Sequence, residues 1–154
     1  MQADALDQEP GSIELPACMD SWDALFGFVQ AEAQRAWRGG PKEYGMILAC
    51  EELLSNIIRH ADVNGDRAVV IRISSRIVRA QDRLFVQLQI SDNGIAYDPH
   101  FETIDTEPQE IPIKERAIGG LGLFLVKNSV DNVAYAYSEG CNTYTLTSEL
   151  PPLP

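Results

Sequence analysis

The sequence predicts an α+β two-layer sandwich, with a mixed, mostly antiparallel sheet and three helices on one face. Three observations predict it. Two long stretches, 20–38 and 41–61, repeat apolar residues with the 3.6-residue period of a half-buried helix. Four stretches alternate apolar and polar residues, and they fall in pairs around short polar turns. The apolar residues of those strands keep one parity, so one sheet face is covered and the helices belong on it.

The elements follow in order. Residues 1–12, acidic and polar, read as a disordered lead before a single domain over 13–150. IELPAC at 13–18 reads as a short strand. Asp20 or Ser21 can cap the first helix, and Trp22, Leu25, Phe26, Val29, Ala33 and Trp37 form its apolar stripe. Gly39-Gly40 ends it, and Pro41 suits the first turn of the second helix. There Ile47, Cys50, Leu54, Ile57 and Ala61 recur with helical spacing. Strands at 67–78 (Val69, Ile71, Ile73, Ile77) and 83–91 (Leu84, Val86, Leu88, Ile90) flank a turn at Gln81-Asp82. Residues 92–118, interrupted by prolines, form a loop long enough to imply a function. A third helix starts at Gly120–Gly122 and runs to about Asp131. Strands 133–138 and 143–150 close the domain around Glu139-Gly140, and the prolines of the 151–154 tail stop the last strand.

The 154 residues suit one core. No apolar run reaches the roughly 20 residues a membrane span needs, and the N-terminal stretch lacks a signal peptide's apolar region. A cytoplasmic location with no membrane partner is therefore expected. The net charge of −11 disfavours direct nucleic-acid binding but not a nucleotide, which needs only local positive potential. Cys18, Cys50 and Cys141 fit no metal spacing or disulfide framework and read as small apolar residues.

Three segments carry candidate chemistry. In CEELLSNIIRHA, Glu52, Asn56 and His60 stack on one side of the second helix, with Arg59 beside them. A carboxylate, an amide and a basic group in one row can position a hydroxyl, ligate Mg²⁺ and meet a phosphate; alone, such a row is equally a solvated helix face. In ISDNGIAYDP, Asp92 continues the inward parity of Leu84 to Ile90, so its carboxylate needs a buried donor, for which a purine amino group would serve. Gly94 gives a tight backbone and Tyr97 can pack beside a ring, although an Asn-Gly turn leaving a strand is common in its own right. In IGGLGLFLVKNSVD, glycines precede an apolar helix, whose first N–H groups favour phosphate. The segment is neither a Walker A loop nor a Rossmann fingerprint, and by itself it could be a glycine hinge.

Taken together and in this order, the three segments resemble the GHKL superfamily of gyrase, heat-shock chaperone, histidine kinase and mismatch-repair ATPases. Glu52, Asn56 and His60 correspond to its N box, Asp92-Asn93-Gly94 to its first glycine box, and Gly120-Leu121-Gly122-Leu123 to its second. The resemblance covers about residues 13 to 150 and implies the Bergerat-type ATP-binding fold. Within the superfamily, EELLSNIIRHA and the IGGLGLFLVKNSVD…EGCNTYTL tail look like the bacterial anti-sigma-factor serine/threonine-protein kinases.

The resemblance implies ATP/ADP and Mg²⁺ as cofactors, with Glu52 as general base and Asn56 as the Mg²⁺ ligand. It puts Asp92 on the adenine amino group, Gly94, Ala96 and Tyr97 beside the base, and Gly119, Gly120, Leu121, Gly122 and Leu123 around the phosphates. His60 and Arg59 stand near phosphate. An ATP lid would span about 99–118, with Lys114 and Arg116 within reach of the γ-phosphate. Ala96 departs from the family pattern, which often has a second glycine there. The implied partners are a STAS-type anti-sigma-factor antagonist as phosphoacceptor, a sigma factor or other regulatory target, and a second copy of the chain in a homodimer. The alternatives are a nucleotide-sensing module that sequesters its target with little or no kinase activity, and a detached ATPase domain.

Overall fold

The computed structural model describes residues 11–63, 68–104 and 120–152. Most of the expected lid, with Lys114 and Arg116, lies outside them, as do Gly119, residues 1–10 of the expected lead and the last two residues of the tail.

Strand β1 (Gly11–Pro16) leads through a 3-10 turn at Met19–Ser21 into helices α1 (Trp22–Trp37) and α2 (Pro41–Val63). Strands β2 (Val70–Ala80) and β3 (Arg83–Asp92) follow, then a 3-10 turn at Phe101–Thr103, helix α3 (Gly120–Ser129), and strands β4 (Asn132–Ser138) and β5 (Cys141–Glu149). The sheet order is β1-β2-β3-β5-β4. All four pairings are antiparallel, so the mixed sheet expected from the sequence is antiparallel throughout. The reason lies in the last hairpin. β3 and β4 run in the same direction across α3, but β5 folds back into the space between them.

Several elements differ in detail from the sequence reading. β1 begins at Gly11, inside the expected lead, and pairs with β2 from Gly11↔Ser75 to Pro16↔Val70. Ser21 occupies the N-cap of α1, yet its side chain makes no capping bond; it is buried, with its hydroxyl 3.7 Å from Cys18 Sγ. Phe26 is not in the core but stacks on Trp22 (centroids 5.5 Å apart), and Phe28 packs inward instead. Ile77 is 39% exposed, where β2 has run past the end of β1, whose pairing stops at Gly11↔Ser75. α1 ends where Arg38 turns left-handed (φ 55°), just before Gly39-Gly40.

The core lies between the sheet and the helices. Ile71, Ile73, Val86, Leu88, Ile90 and Leu146 face it from the strands, and Leu25, Met46, Leu53 and Leu54 from the helices. α2 is buried along a broad face because it touches α1 on one side and α3 on the other. α3 runs antiparallel to α2 at close range. A Cβ on Gly45 would be driven into the Ser129 carbonyl, and one on Gly122 would stand 2.6 Å from Glu52 Oε2. Far from the glycine turn, Trp37 Nε1 donates to Glu149 O at 3.0 Å, and Lys42 pairs with Asp131, which also accepts from Glu149 N at 2.7 Å. These bonds tie α1, α2, β4 and β5 together at one end, leaving the opposite end of the α2–β3 seam to form a pocket. Among the described residues, no helix is long and apolar enough to cross a membrane.

Candidate functional site: a pocket between α2, the end of β3 and the start of α3

The pocket exists because α2 outruns α3. With Glu52 level with Gly122, the next turn of α2 carries Asn56 about 6 Å beyond the level of Gly122, and His60 lies a further turn on. Leu53, Asn56, Ile57, His60 and Ala61 form the α2 wall. Val69, Asp92, Gly94, Ile95 and Tyr97 form the wall at the sheet's end, Leu123 comes from α3, and Asn142 and Tyr144 close the base from β5.

Asp92 is the last residue of β3 and keeps the inward parity of Val86, Leu88 and Ile90, so it is 6% exposed. Its Oδ1 accepts from Gly94 N at 2.9 Å and from Asn142 Nδ2 at 3.0 Å. Burial pushes its pKa above the usual carboxylate range, while these two bonds and the charge of His60 act against that rise. Gly94 has no Cβ for a local reason: one would lie 2.9 Å from Asp92 Oδ1. The turn is braced by Asn93, whose Oδ1 accepts from Val70 N at 2.7 Å.

Tyr97 donates its backbone N–H to Asn142 Oδ1 at 2.9 Å, and its ring lies 4.5 Å from that of His60. His60 therefore stands on the Asp92–Tyr97 side of the pocket. Beneath them Tyr144 donates to Tyr97 O at 3.4 Å, and its phenol pKa is raised by burial and then by the Asp92 charge. Arg59 is exposed and outside the pocket wall, but its guanidinium donates to Asn56 Oδ1. Ala96 is exposed, lies outside the wall, and has no positive φ, so the missing second glycine imposes no backbone strain.

On the other side, α3 opens at Gly120, placing the first-turn N–H groups beside the pocket mouth. Leu123 turns inward, and Leu121 is 53% exposed and faces out. Glu52 is half-buried against Gly122, one turn of α2 below Asn56. The hard oxygens able to hold a divalent cation here are Asn56 Oδ1 and the Glu52 carboxylate.

The structure thus gathers Asn56, His60, Asp92, Gly94, Tyr97 and Leu123 around one pocket, with Glu52 against Gly122 beside it and Gly120 at the start of the helix that carries Leu123. Arg59, Ala96 and Leu121 sit outside its lining, and Gly119 is beyond the described residues. Sequence reasoning missed three participants. The sequence reading starts the last strand at Thr143 and so leaves Asn142 outside it. Yet Glu139 and Gly140 both have positive φ (53° and 77°), as in a two-residue type I′ hairpin. That hairpin starts β5 at Cys141, and the inward parity of Tyr144 and Leu146 extends back to Asn142. Tyr144 was placed in a strand without a site role. Lys127 was missed too: its ammonium donates to Phe101 O at 2.5 Å and Ile104 O at 2.6 Å, pinning the chain beyond Tyr97 onto α3. His100 is exposed and stands 3.6 Å from both Asp98 and Glu102.

A two-layer α+β domain with a buried strand-end carboxylate facing a helix amide across a pocket, and a glycine-started helix at its mouth, defines a nucleotide-binding class. Residues 15–148 match the histidine kinase-like ATPase domain, and the chain belongs to that family, within the GHKL superfamily. It is 30% identical over 130 residues to the serine/threonine-protein kinase BtrW of Bordetella bronchiseptica, covering 84% of this chain and 86% of that protein. It is 32% identical over 95 residues to the serine-protein kinase RsbW of Listeria innocua, covering 60% of this chain and 57% of that protein. It is 30% identical over 100 residues to the serine-protein kinase RsbW of Bacillus cereus, covering 62% and 57%. The match therefore spans little more than half the length of the RsbW proteins.

Proposed function

We propose that the chain is a Mg·ATP-dependent serine/threonine-protein kinase that phosphorylates a serine on a STAS-type anti-sigma-factor antagonist in a partner-switching system. The observation that carries this reading is the meeting of Asp92 and Asn56 in one pocket, with Glu52 packed against Gly122 of α3 one helical turn from Asn56. Kinship with named serine-protein kinases gives the reaction class.

In this reading Asp92 accepts from the adenine amino group, and Tyr97 and Ile95 flank the ring. The first-turn N–H groups of α3 hold phosphate oxygens. Mg²⁺ suits Asn56 Oδ1, a hard oxygen, and when bound supplies neutralising charge to the phosphates. Arg59 releases that oxygen and turns its guanidinium to phosphate. Glu52 orients the incoming serine hydroxyl and takes its proton. Catalysis is mainly positioning and electrostatics. Phosphorylation adds negative charge to the antagonist, and a kinase of net charge −11 then holds it less well. The freed kinase binds its sigma factor or other target. We place this protein in the cytoplasm, as a homodimer.

Calorimetric titration with a non-hydrolysable ATP analogue tests the site. Micromolar, Mg²⁺-dependent binding that disappears in Asn56→Ala and Asp92→Ala supports it; no binding by folded protein at millimolar ligand rejects it. One observation favours a second reading, a nucleotide-sensing binder without kinase activity: Arg59 occupies the oxygen that the metal needs. Glu52→Ala separates the two. A kinase loses phosphotransfer and keeps ATP binding, and a binder loses neither target binding nor ATP.

A further inference from the structure

Asn142 has the most constrained polar side chain around the pocket. It is 1% exposed and lies directly across the β3–β5 ladder from Asp92. An asparagine amide offers two N–H donors and an oxygen able to accept twice, and here all four are used. Nδ2 donates to Asp92 Oδ1 at 3.0 Å and to Ile95 O at 2.9 Å. Oδ1 accepts from Tyr97 N at 2.9 Å and from Tyr135 OH at 2.6 Å. One planar group therefore ties together the strand-end carboxylate, both ends of the 95–97 turn, and the edge strand β4.

The effect on Asp92 is specific. Asn142 and the Gly94 N–H both bond Oδ1, which fixes the rotation of the carboxylate and leaves Oδ2 as the oxygen for a ligand. An ionised carboxylate oxygen only accepts, so it selects for a ligand that brings an N–H donor. If Asn142 were lost, Asp92 would be held by the Gly94 N–H alone, and Ile95 and Tyr97 would lose the Asn142 bonds that hold them at the wall.

We infer that Asn142 is the positioning residue of the base subsite, aiming Asp92 Oδ2 at the ligand and thereby setting selectivity for a purine that carries an exocyclic amino group. This rests on the nucleotide reading above. Asn142 touches the ligand through Asp92, so selectivity between ligands, not affinity alone, reports its role.

The experiment compares calorimetric affinities for ATP and for purine riboside triphosphate, which has hydrogen in place of the 6-amino group, in Mg²⁺. The unmodified protein should prefer ATP by tenfold or more. Asn142→Ala, and Asn142→Leu of similar volume but without the Nδ2 donors, should bring ATP down to within about threefold of the analogue, whatever affinity both ligands lose through Ile95 and Tyr97. If Asn142→Ala shows no cooperative thermal transition, Asn142→Leu and Tyr135→Phe decide; the latter removes one bond to Asn142 Oδ1 and should lower the ATP preference partially. A folded Asn142 variant that keeps the full preference, or loses affinity for both ligands equally, overturns the inference and makes Asn142 a purely structural residue. An unmodified protein that binds neither ligand overturns the nucleotide reading itself. One that binds both equally well overturns the assignment of the amino group to Asp92.

Discussion

Gly122→Ala offers a sharp test, because the structure separates its effect on the fold from its effect on chemistry. The new Cβ would stand 2.6 Å from Glu52 Oε2 and 3.6 Å from Glu52 Cδ, with no other close neighbour among the described residues. Ordinary contact needs about 3.4 Å, so the carboxylate must retreat by about 0.8 Å, a displacement of the size that costs a reacting group up to ~10²-fold in rate. The atom that must move is the end of a flexible side chain, so the fold yields at little cost. Alanine also replaces glycine inside a helix, which contributes roughly 0.5–1 kcal/mol in its favour. The variant should therefore keep or slightly raise its Tm, bind the ATP analogue within about threefold of the unmodified protein and, on the kinase reading proposed above, transfer phosphate to the proposed antagonist about 10- to 100-fold more slowly. Single-turnover phosphotransfer, with calorimetry run in parallel, measures both quantities. Unchanged phosphotransfer would refute Glu52 as the group acting on the hydroxyl. Lost nucleotide binding with an intact fold would show that Gly122 serves the phosphates by close approach and not Glu52 by clearance.

Gly45→Ala should behave in the opposite way. Its Cβ meets the backbone carbonyl of Ser129, which cannot swing aside, so α2 and α3 must part at a cost of about 1–3 kcal/mol, read as a lower Tm. Asp92→Asn should abolish ATP binding yet stabilise the fold at neutral pH. Burial raises the Asp92 pKa in the folded state, so the unfolded chain ionises first as pH rises and the carboxylate opposes folding above about pH 4. The Tm gain should shrink to nothing as pH falls below that value, and a constant gain would refute the linkage. Asp131 carries the reverse sign. Burial raises its pKa, but the Lys42 hydrogen bond, the Glu149 N–H and the Lys42 charge outweigh that and hold it below the usual range. Asp131→Asn should accordingly lower Tm at neutral pH, and the difference should close as pH falls through the folded pKa. Lys127→Met leaves the Ile104 carbonyl without its ammonium donor and Phe101 O with the Ile104 N–H alone, and should cost about 1–3 kcal/mol, with faster amide hydrogen exchange at 101–104.

Local chemistry made much of this protein legible from the chain alone. The inward parity of Val86, Leu88 and Ile90 carried through to Asp92, because strand side chains alternate with a period of two and the next position has no other direction to take. The i, i+4, i+8 spacing put Glu52, Asn56 and His60 on one side of α2 by helix geometry alone. Gly39-Gly40 and Gln81-Asp82 marked real reversals, since both need left-handed backbone.

Other features depended on elements distant in sequence. The sheet became antiparallel throughout only because β5 inserted between β3 and β4. Whether Gly122 is a phosphate glycine or a clearance for Glu52 depends on the α2–α3 spacing, which no local pattern encodes. Sequence by itself determined the helices, the strands, the sandwich and the order of the chemical groups, because backbone periodicity and turn chemistry act between near neighbours. Only the tertiary structure decided that Asn142 sits across from Asp92, 50 residues away, and holds its carboxylate. Strand register and helix packing set that meeting, and both are settled by burying the whole core at once.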